Sequence, residues 1–329
     1  MAAKQSSTSE RIEAKGFTVQ GKTAIVTGAG SGINYSFAAL LLSRGCNVVL
    51  ADLALRPEAQ NLLQTYSSHP RAMFVETDVT DWKQLDRMFE TCAREFPQGL
   101  DIVCPGAGIY DPHWTNFWHP PGSSSGVSRD DPEGGRYASL DINITHPIRT
   151  TQLAISRFLD AERNGGNKAS PANPKRVVIV SSIAGQMANL NTPLYVAGKH
   201  AMNGFIRSLA ALEARVGIRV NGVAPGIIKT PLWTEHPEKM AYLDSGKDEW
   251  ATPEEVAEAM VRCVEDEELG GGVVLEVGKG QTRRVEALND GGPGGAGHTV
   301  SRLAESYEEV YGWLAREGWG QRKREKSVL

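Results

Sequence analysis

Short apolar runs recur along the chain, separated by amphipathic stretches. Runs at residues 22–27, 47–52, 72–78, 100–104, 176–181, 218–224 and 272–277 predict strands. They are rich in Val and Ile and do not alternate strictly with polar residues, as in strands buried on both faces. Helices are expected between them. Ile33, Phe37, Leu40 and Leu41 share one face of the first, which Gly45 ends. Residues 82–96 predict a second, and residues 195–216 a long one that runs straight into a strand. Strands that alternate with helices predict βαβ units and a parallel sheet.

Two stretches break this rhythm. Residues 110–136 hold Trp114, Phe117, Trp118, Pro120, Pro121 and a Ser/Gly/Asp run, and structureless loops of that length tend to be functional or disordered. Residues 164–174 read as a polar Gly/Pro/Asn insertion at the surface, with no visible chemistry. Beyond the last strand, the glycine-rich residues 289–297 read as a linker. Leu303, Tyr307, Val310, Tyr311 and Leu314 then fit one helical face, with Ser301 as its N-cap. The expected organisation is one domain over residues 17–280 and a C-terminal extension over 281–329, made of linker, helix and basic tail.

Composition narrows the classes. The chain has 329 residues, 40% hydrophobic and 22% charged, with a formal net charge of −4. That balance gives no basic surface for nucleic acid or membrane. The 4 cysteines, Cys46, Cys92, Cys104 and Cys263, are widely spaced without a CxxC pattern, which fits reduced thiols in the cytoplasm. The polar start has no apolar core of a secretory signal. No apolar run approaches the roughly 20 residues of a membrane span. The closing Gln-Arg-Lys-Arg-Glu-Lys-Ser-Val-Leu reads as a solvated tail.

Candidate chemistry begins where the first strand ends, in Thr27-Gly28-Ala29-Gly30-Ser31-Gly32-Ile33-Asn34. Glycines let a backbone turn sharply and approach a pyrophosphate, and the following helix offers its N-terminal N–H groups to the negative charge. Gly28, Gly30, Ser31, Gly32 and Ile33 are therefore candidate cofactor contacts. Asp52 ends the second strand, 20 residues beyond Gly32. An acid there can accept from both ribose hydroxyls of NAD and repel the 2′-phosphate of NADP. Asp78 and Val79, at the end of the third strand, are candidates for the adenine side.

The strand at 176–181 leads into Ser182, and 13 residues later comes Tyr195-Val196-Ala197-Gly198-Lys199. Positions four apart share a helix face, which brings the Lys199 ammonium near the Tyr195 hydroxyl. A cation there is expected to lower the phenol pKa from near 10, so that Tyr195 can take a proton from an alcohol. Ser182 would hydrogen-bond the substrate oxygen.

These motifs, in this order, resemble the short-chain dehydrogenases/reductases over about residues 21–280. The glycine motif TGxxxGxG of that family matches at Thr27, Gly28 and Gly32, but its last glycine is Asn34 here. The NNAG motif reads Pro105-Gly106-Ala107-Gly108, with Gly106 in place of asparagine. The first departure puts the packing of the helix in question, and the second the adenine-side support. The resemblance implies that Gly106, Ala107 and Gly108 contact the cofactor and that Asn143 holds a water beside Lys199, completing a proton relay. It also implies that Lys199 binds ribose. The segment Pro225-Gly226-Ile227-Ile228-Lys229-Thr230 matches PGxxxT, which makes Pro225, Gly226, Ile228 and Thr230 candidates for holding the carboxamide. Asn34 and the later Val-Leu-Glu-Val-Gly-Lys-Gly look like the 15-hydroxyprostaglandin dehydrogenase-like subgroup seen in fungi.

The expected fold is α/β, a doubly wound parallel sheet of Rossmann type with a C-terminal helical extension. The expected reaction moves a hydride between NAD and a secondary alcohol/ketone pair, with Tyr195 as acid/base. An NADP(H) ketoreductase of a biosynthetic pathway and a non-catalytic cofactor-binding sensor or scaffold are the alternatives. Apolar and aromatic loops around Trp118, Leu190 and Trp233 point to a bulky, weakly polar small molecule. His113, His119 and His236 lack ligand spacing, so no metal is expected. Family resemblance implies a homodimer or homotetramer through helices near 143–159 and 195–216.

Overall fold

The computed structural model describes residues 16–235, 240, 244, 247–287, 303–316 and 319. The first half runs β1 (Thr23–Thr27), α1 (Gly32–Ser43), β2 (Asn47–Asp52), α2 (Pro57–Thr65), β3 (Ala72–Glu76), α3 (Trp82–Glu95) and β4 (Ile102–Cys104). After a long loop come a helical turn α4 (Ala138–Leu140), a π-helical turn (Asp141–Thr145) and α5 (His146–Leu159), without a break. Then follow β5 (Lys175–Val180), α6 (Pro193–Ser208), α7 (Leu212–Val216), β6 (Ile218–Pro225), α8 (Pro231–Thr234), α9 (Pro253–Glu265), β7 (Val274–Gly278), β8 (Gln281–Arg284) and α10 (Leu303–Leu314).

The strands form one 8-stranded sheet in the order β3-β2-β1-β4-β5-β6-β7-β8. β1 to β7 are parallel, and β8 returns antiparallel to β7. This is the doubly wound α/β architecture that the alternation predicts. Every residue of β1 is buried because helices cover both faces. Ala24 and Val26 enter a core with Phe37 and Leu41 of α1 and Val256 and Met260 of α9. Ile25 enters the opposite core with Leu85 and Met88 of α3, Phe158 of α5 and Met202 of α6. The winding reverses between β1 and β4, and ligands in such sheets bind beyond the carboxyl ends of the strands at that point.

Four features differ from the sequence pattern. The helix expected over 195–216 starts earlier, at Pro193, and breaks after Ser208. Leu209, Ala210 and Leu212 donate to carbonyls three residues back, which tightens the chain into a turn. That turn packs on the start of β7, where a Cβ on Gly272 would lie 2.7 Å from the Ala210 side chain. Besides the short turns α4 and α8, two helices, α2 and α9, lie outside the predicted elements. The second carries a capping box, Thr252 with Glu255. β8 lies beyond residue 280 and extends the sheet. Finally, the 164–174 insertion is not a plain surface loop. Lys175 is fully buried and donates to Asp101 (2.7 Å) and Asn167 (2.6 Å). Asn164 pairs with the Leu100 backbone, so the insertion closes the lower end of the sheet.

At that same end α10 docks on the body. Leu314 is buried, the Tyr311 hydroxyl donates to the Ala211 carbonyl (3.1 Å), and the Ser156 hydroxyl donates to the Trp319 carbonyl (2.8 Å). Ser301 and residues 289–297 lie outside the described residues. No helix among the described residues is long and apolar enough to cross a membrane.

Candidate active site

The glycine turn sits at the reversal point. The Gly30 N–H donates to Asp52 Oδ2 (2.8 Å), and a Cβ on Gly30 would lie 2.3 Å from the Ala54 carbonyl oxygen. Only glycine fits that approach. Ser31, the N-cap of α1, makes no side-chain cap, and no acid stands in the first turn. The N–H groups at this helix end are therefore free of a local carboxylate, as a phosphate requires. Ile33 packs its side chain on the core. Thr230, in the loop after β6, lies against Gly32. Gly226 donates to the Val277 carbonyl (2.9 Å), Ile228 is buried, and the Thr230 hydroxyl donates to the Ile228 carbonyl (3.4 Å). Asp78 at the end of β3 holds the Thr80 N–H and hydroxyl, so its carboxylate braces its own turn. Val79 is buried next to it.

The two motif departures meet each other. Asn34 Nδ2 donates to the Gly106 carbonyl (2.9 Å), and a Cβ on Gly106 would fall 2.3 Å from Asn34 Oδ1. The side chain missing at position 106 is thus replaced from α1, 72 residues earlier in the chain. The support expected to loosen is tied by another residue. Thr27 anchors the same loop: its hydroxyl oxygen accepts from the N–H groups of Gly106 (2.9 Å) and Ala107 (3.2 Å) and lies 3.0 Å from His146 Nε2. Gly108 follows, close to the Asn143 amide and the Lys199 Nζ.

The candidate reaction centre lies where three elements converge. Ser182 stands beside the Tyr195 phenol, where its hydroxyl favours the phenolate, and its Oγ accepts the Ala184 N–H (3.2 Å). The Lys199 Nζ stands 5.3 Å from the Tyr195 ring centre and donates to the Val180 carbonyl (2.8 Å). Asn143 lies in the π-helical turn, where its side chain makes two bonds to the Ile109 backbone, accepting at 3.1 Å and donating at 2.9 Å. Such turns often mark functional positions in helices. Ser182, Tyr195, Lys199 and Asn143 therefore share one site above the glycine turn.

Its electrostatics correct one expectation. Lys199 was expected to bring the phenol toward neutrality. Burial instead pushes Tyr195 up to about 12, reinforced by Tyr110 and Asp111 and opposed by the Ser182 hydrogen bond. The phenol end is desolvated, and Lys199 is itself buried, which pulls its ammonium down to about 8. Burial also holds His146 near 4, hence neutral.

Aromatic rings wall the substrate side. Tyr110 meets Tyr195 edge-on at 4.8 Å and stacks on Trp233 at 5.5 Å, and Trp233 meets Trp250 at 6.0 Å. Trp118 Nε1 donates to the Leu190 carbonyl (2.7 Å), which ties two rim loops together. Phe117, Trp118, Met187 and Leu190 expose apolar surface there. Trp114 lies against Arg129 instead and packs the loop. His113 and His119 meet edge-on at 5.2 Å, and His236 is outside the described residues.

Sequence comparison agrees with this geometry. A family model described as short chain dehydrogenase matches residues 22–241. The chain belongs to the short-chain dehydrogenase family. Among its relatives, human 15-hydroxyprostaglandin dehydrogenase [NAD(+)] is 30% identical over 273 residues, covering 78% of this chain and 91% of that protein. Cis-4-hydroxycyclohexanecarboxylate dehydrogenase of Sinomonas cyclohexanicum is 30% identical over 265 residues, covering 79% and 96%. A crystal structure of 3-ketoacyl-(acyl-carrier-protein) reductase from Brucella melitensis complexed with NADH superimposes with a TM-score of 0.61 at 22% identity, over 79% of this chain and 98% of that one. The protein is thus an enzyme of the short-chain dehydrogenase family, which binds a nicotinamide cofactor, and its relatives include dehydrogenases of alcohols. Three members of the site escape a motif reading: Asp111, His146 and Tyr110. Only the apolar context around Asp111 and His146, unusual for polar residues, could have flagged them.

Proposed function

We propose that the protein is an NAD-dependent dehydrogenase of a bulky, weakly polar secondary alcohol. The carrying observation is the Tyr195 phenol, with Ser182 beside it, Lys199 beneath it and the glycine turn alongside. Asp52 supports NAD over NADP. Its oxygens take one N–H each, from Gly30 and Leu53, and the carboxylate has further lone pairs to accept from ribose hydroxyls but no proton to donate to a 2′-phosphate, whose charge it repels. When NAD is bound, its nicotinamide ring accepts the hydride. Tyr195 takes the alcohol proton, Ser182 steadies the substrate oxygen as charge develops, and Lys199 passes the proton on past Asn143 toward solvent. A phenol near 12 is a weak acid and is scarcely ionised at neutral pH. The alcohol and the bound cofactor must therefore complete the site before Tyr195 ionises.

The aromatic wall of Tyr110, Trp233 and Trp250 supports a large apolar substrate. The name of one relative, a hydroxyprostaglandin dehydrogenase, agrees with that size class. The cysteines are free and buried, as a reducing cytoplasm allows. The outer face of α6, with Ala197, His200, Ala201, Gly204 and Ser208 exposed, supports association into a homodimer or homotetramer. The test is a panel of secondary alcohols assayed with NAD and with NADP by reduced-nicotinamide absorbance. Turnover with NAD that is lost in Tyr195→Phe is expected, by a factor of about 10²–10⁴. Preference for NADP would overturn the cofactor assignment, and full activity of Tyr195→Phe the assignment of the base.

A further inference from the structure

The loop at 110–136 contributes more than a rim. Asp111 is buried and its backbone is left-handed, at φ 27°, which a non-glycine residue holds only where its surroundings fix it. Its carboxylate faces two parts of the reaction centre. Oδ2 accepts the backbone N–H of Tyr195 itself (3.0 Å), in the first turn of α6. Oδ1 accepts the Ser139 hydroxyl (2.8 Å), and Ser139 lies one helical turn before Asn143, whose Nδ2 donates to it at 3.5 Å. Ser139 is held in turn by Thr115, whose hydroxyl oxygen accepts the Ser139 N–H (3.0 Å).

We propose that Asp111 is the positioning residue of the reaction centre: its carboxylate holds Tyr195 and Asn143 in register and places a negative charge behind the phenol. A carboxylate is suited to this. It caps the N-terminus of the helix that carries Tyr195, where the helix end favours an anion. It also makes charge-assisted bonds, which are shorter and stronger than neutral ones. The neighbouring residue on the same loop, Tyr110, puts its ring against Tyr195, so one short segment sets both the position and the surroundings of the phenol.

The charge has a sign. The groups that face Tyr195 are Lys199 on its own helix, Ser182 from the loop after β5, and Tyr110 and Asp111 from the loop after β4. His146 on α5 is neutral and Asn143 uncharged. Asp111 disfavours the phenolate, so removing its charge makes the phenol more acidic.

The experiment compares the full-length wild type with Asp111→Asn, Asp111→Ala and Asp130→Asn. Asp130 is a second buried acid of the same loop, bonded to the Ala138 N–H (2.9 Å) away from Tyr195. Asparagine can keep one oxygen on the Tyr195 N–H while Ser139 rotates to accept from the amide. The Tyr195 phenol is titrated by ¹³C NMR of ring-labelled protein with NAD present, assigned with Tyr195→Phe, and the acid limb of alcohol oxidation is measured beside it. Asp111→Asn is expected to lower both by about one pH unit. Asp111→Ala is expected to lower kcat about 10²-fold, as a misplaced reacting group does, with KM for NAD unchanged. Asp130→Asn should change the melting temperature alone. A Tyr195 titration that is the same in Asp111→Asn and wild type overturns the charge role. Wild-type kcat in Asp111→Ala overturns the positioning role, and if that variant does not fold, wild-type kcat in Ser139→Ala, which cuts the tie from Asp111 to Asn143, overturns it instead. The NMR titration needs no substrate, so it stands apart from the proposed alcohol oxidation.

Discussion

At Tyr195 two effects of burial oppose each other. The same desolvation that pushes the phenol up to about 12 also makes the Ser182 bond and the nearby Lys199 count for more than they would in water. His146 shows the cost at its plainest. Its folded-state pKa lies near 4 and its unfolded value near 6.5, so the unfolded chain binds the extra proton between those values. Stability from this residue is complete above pH 6.5 and is lost as pH falls toward 4, by about 3 kcal/mol across that window. Urea unfolding of wild type and His146→Gln across pH 7 to 4 checks this: the variant should show the shallower decline. The Asn34–Gly106 pair predicts non-additivity. Gly106→Ala should destabilise by about 1–3 kcal/mol because Asn34 blocks the new methyl group. In the Asn34→Gly background the same change should cost much less. Chemical denaturation of the four proteins measures the coupling. The sequence shows both departures, but each read alone suggests a defect. Their mutual fit is a contact across 72 positions, which local spacing does not encode.

The strands were legible because both faces of β1, β2 and β4 are buried, so their Val and Ile runs carry the signal directly. α1 and α3 were legible from their apolar faces; Asp81 caps α3, accepting from the Lys83 N–H. α2 was not: it buries only Ala59 and Leu62. The break between α6 and α7 was hidden too, because close packing against Gly272 decides it rather than propensity. The insertion at 164–174 misled for a related reason. Its asparagines look solvated in sequence, yet Asn164 turns inward on the Leu100 backbone, and Asn167 and Asn173 on Asp101 and Lys175. Asp101→Ala would leave the Lys175 ammonium without its carboxylate in a buried site, at a cost of about 3–5 kcal/mol. Thermal unfolding should register that loss. Kinetics below the transition should not, since this cluster lies at the opposite end of the strands from Tyr195.

The whole molecule divides its tasks between the two ends of the sheet. The carboxyl ends carry the candidate site, and the other end carries the 164–174 insertion and the docked α10. Ending the chain after residue 287 would remove α10 with its Tyr311 and Leu314 contacts and uncover Leu159, Ala169 and Val216, which line the cleft beneath it. The shortened protein is expected to melt several degrees lower, as the loss of about 1–2 kcal/mol in a domain of this size implies. It should keep its KM for NAD and its kcat below that temperature. Calorimetry and steady-state kinetics on the two lengths check both halves of the statement.

The last strand has a consequence for how the protein behaves when crowded. An open sheet edge is a template on which a second chain can add itself and seed insoluble assemblies. Here one of the two edges is β8, four exposed residues ending in two arginines, one of them bridged to Glu276 on the neighbouring strand (2.6 Å). Short, twisted back and positively charged, it repels a copy of itself. This end of the sheet thereby resists edge-to-edge aggregation at concentrations where a bare β7 would invite it.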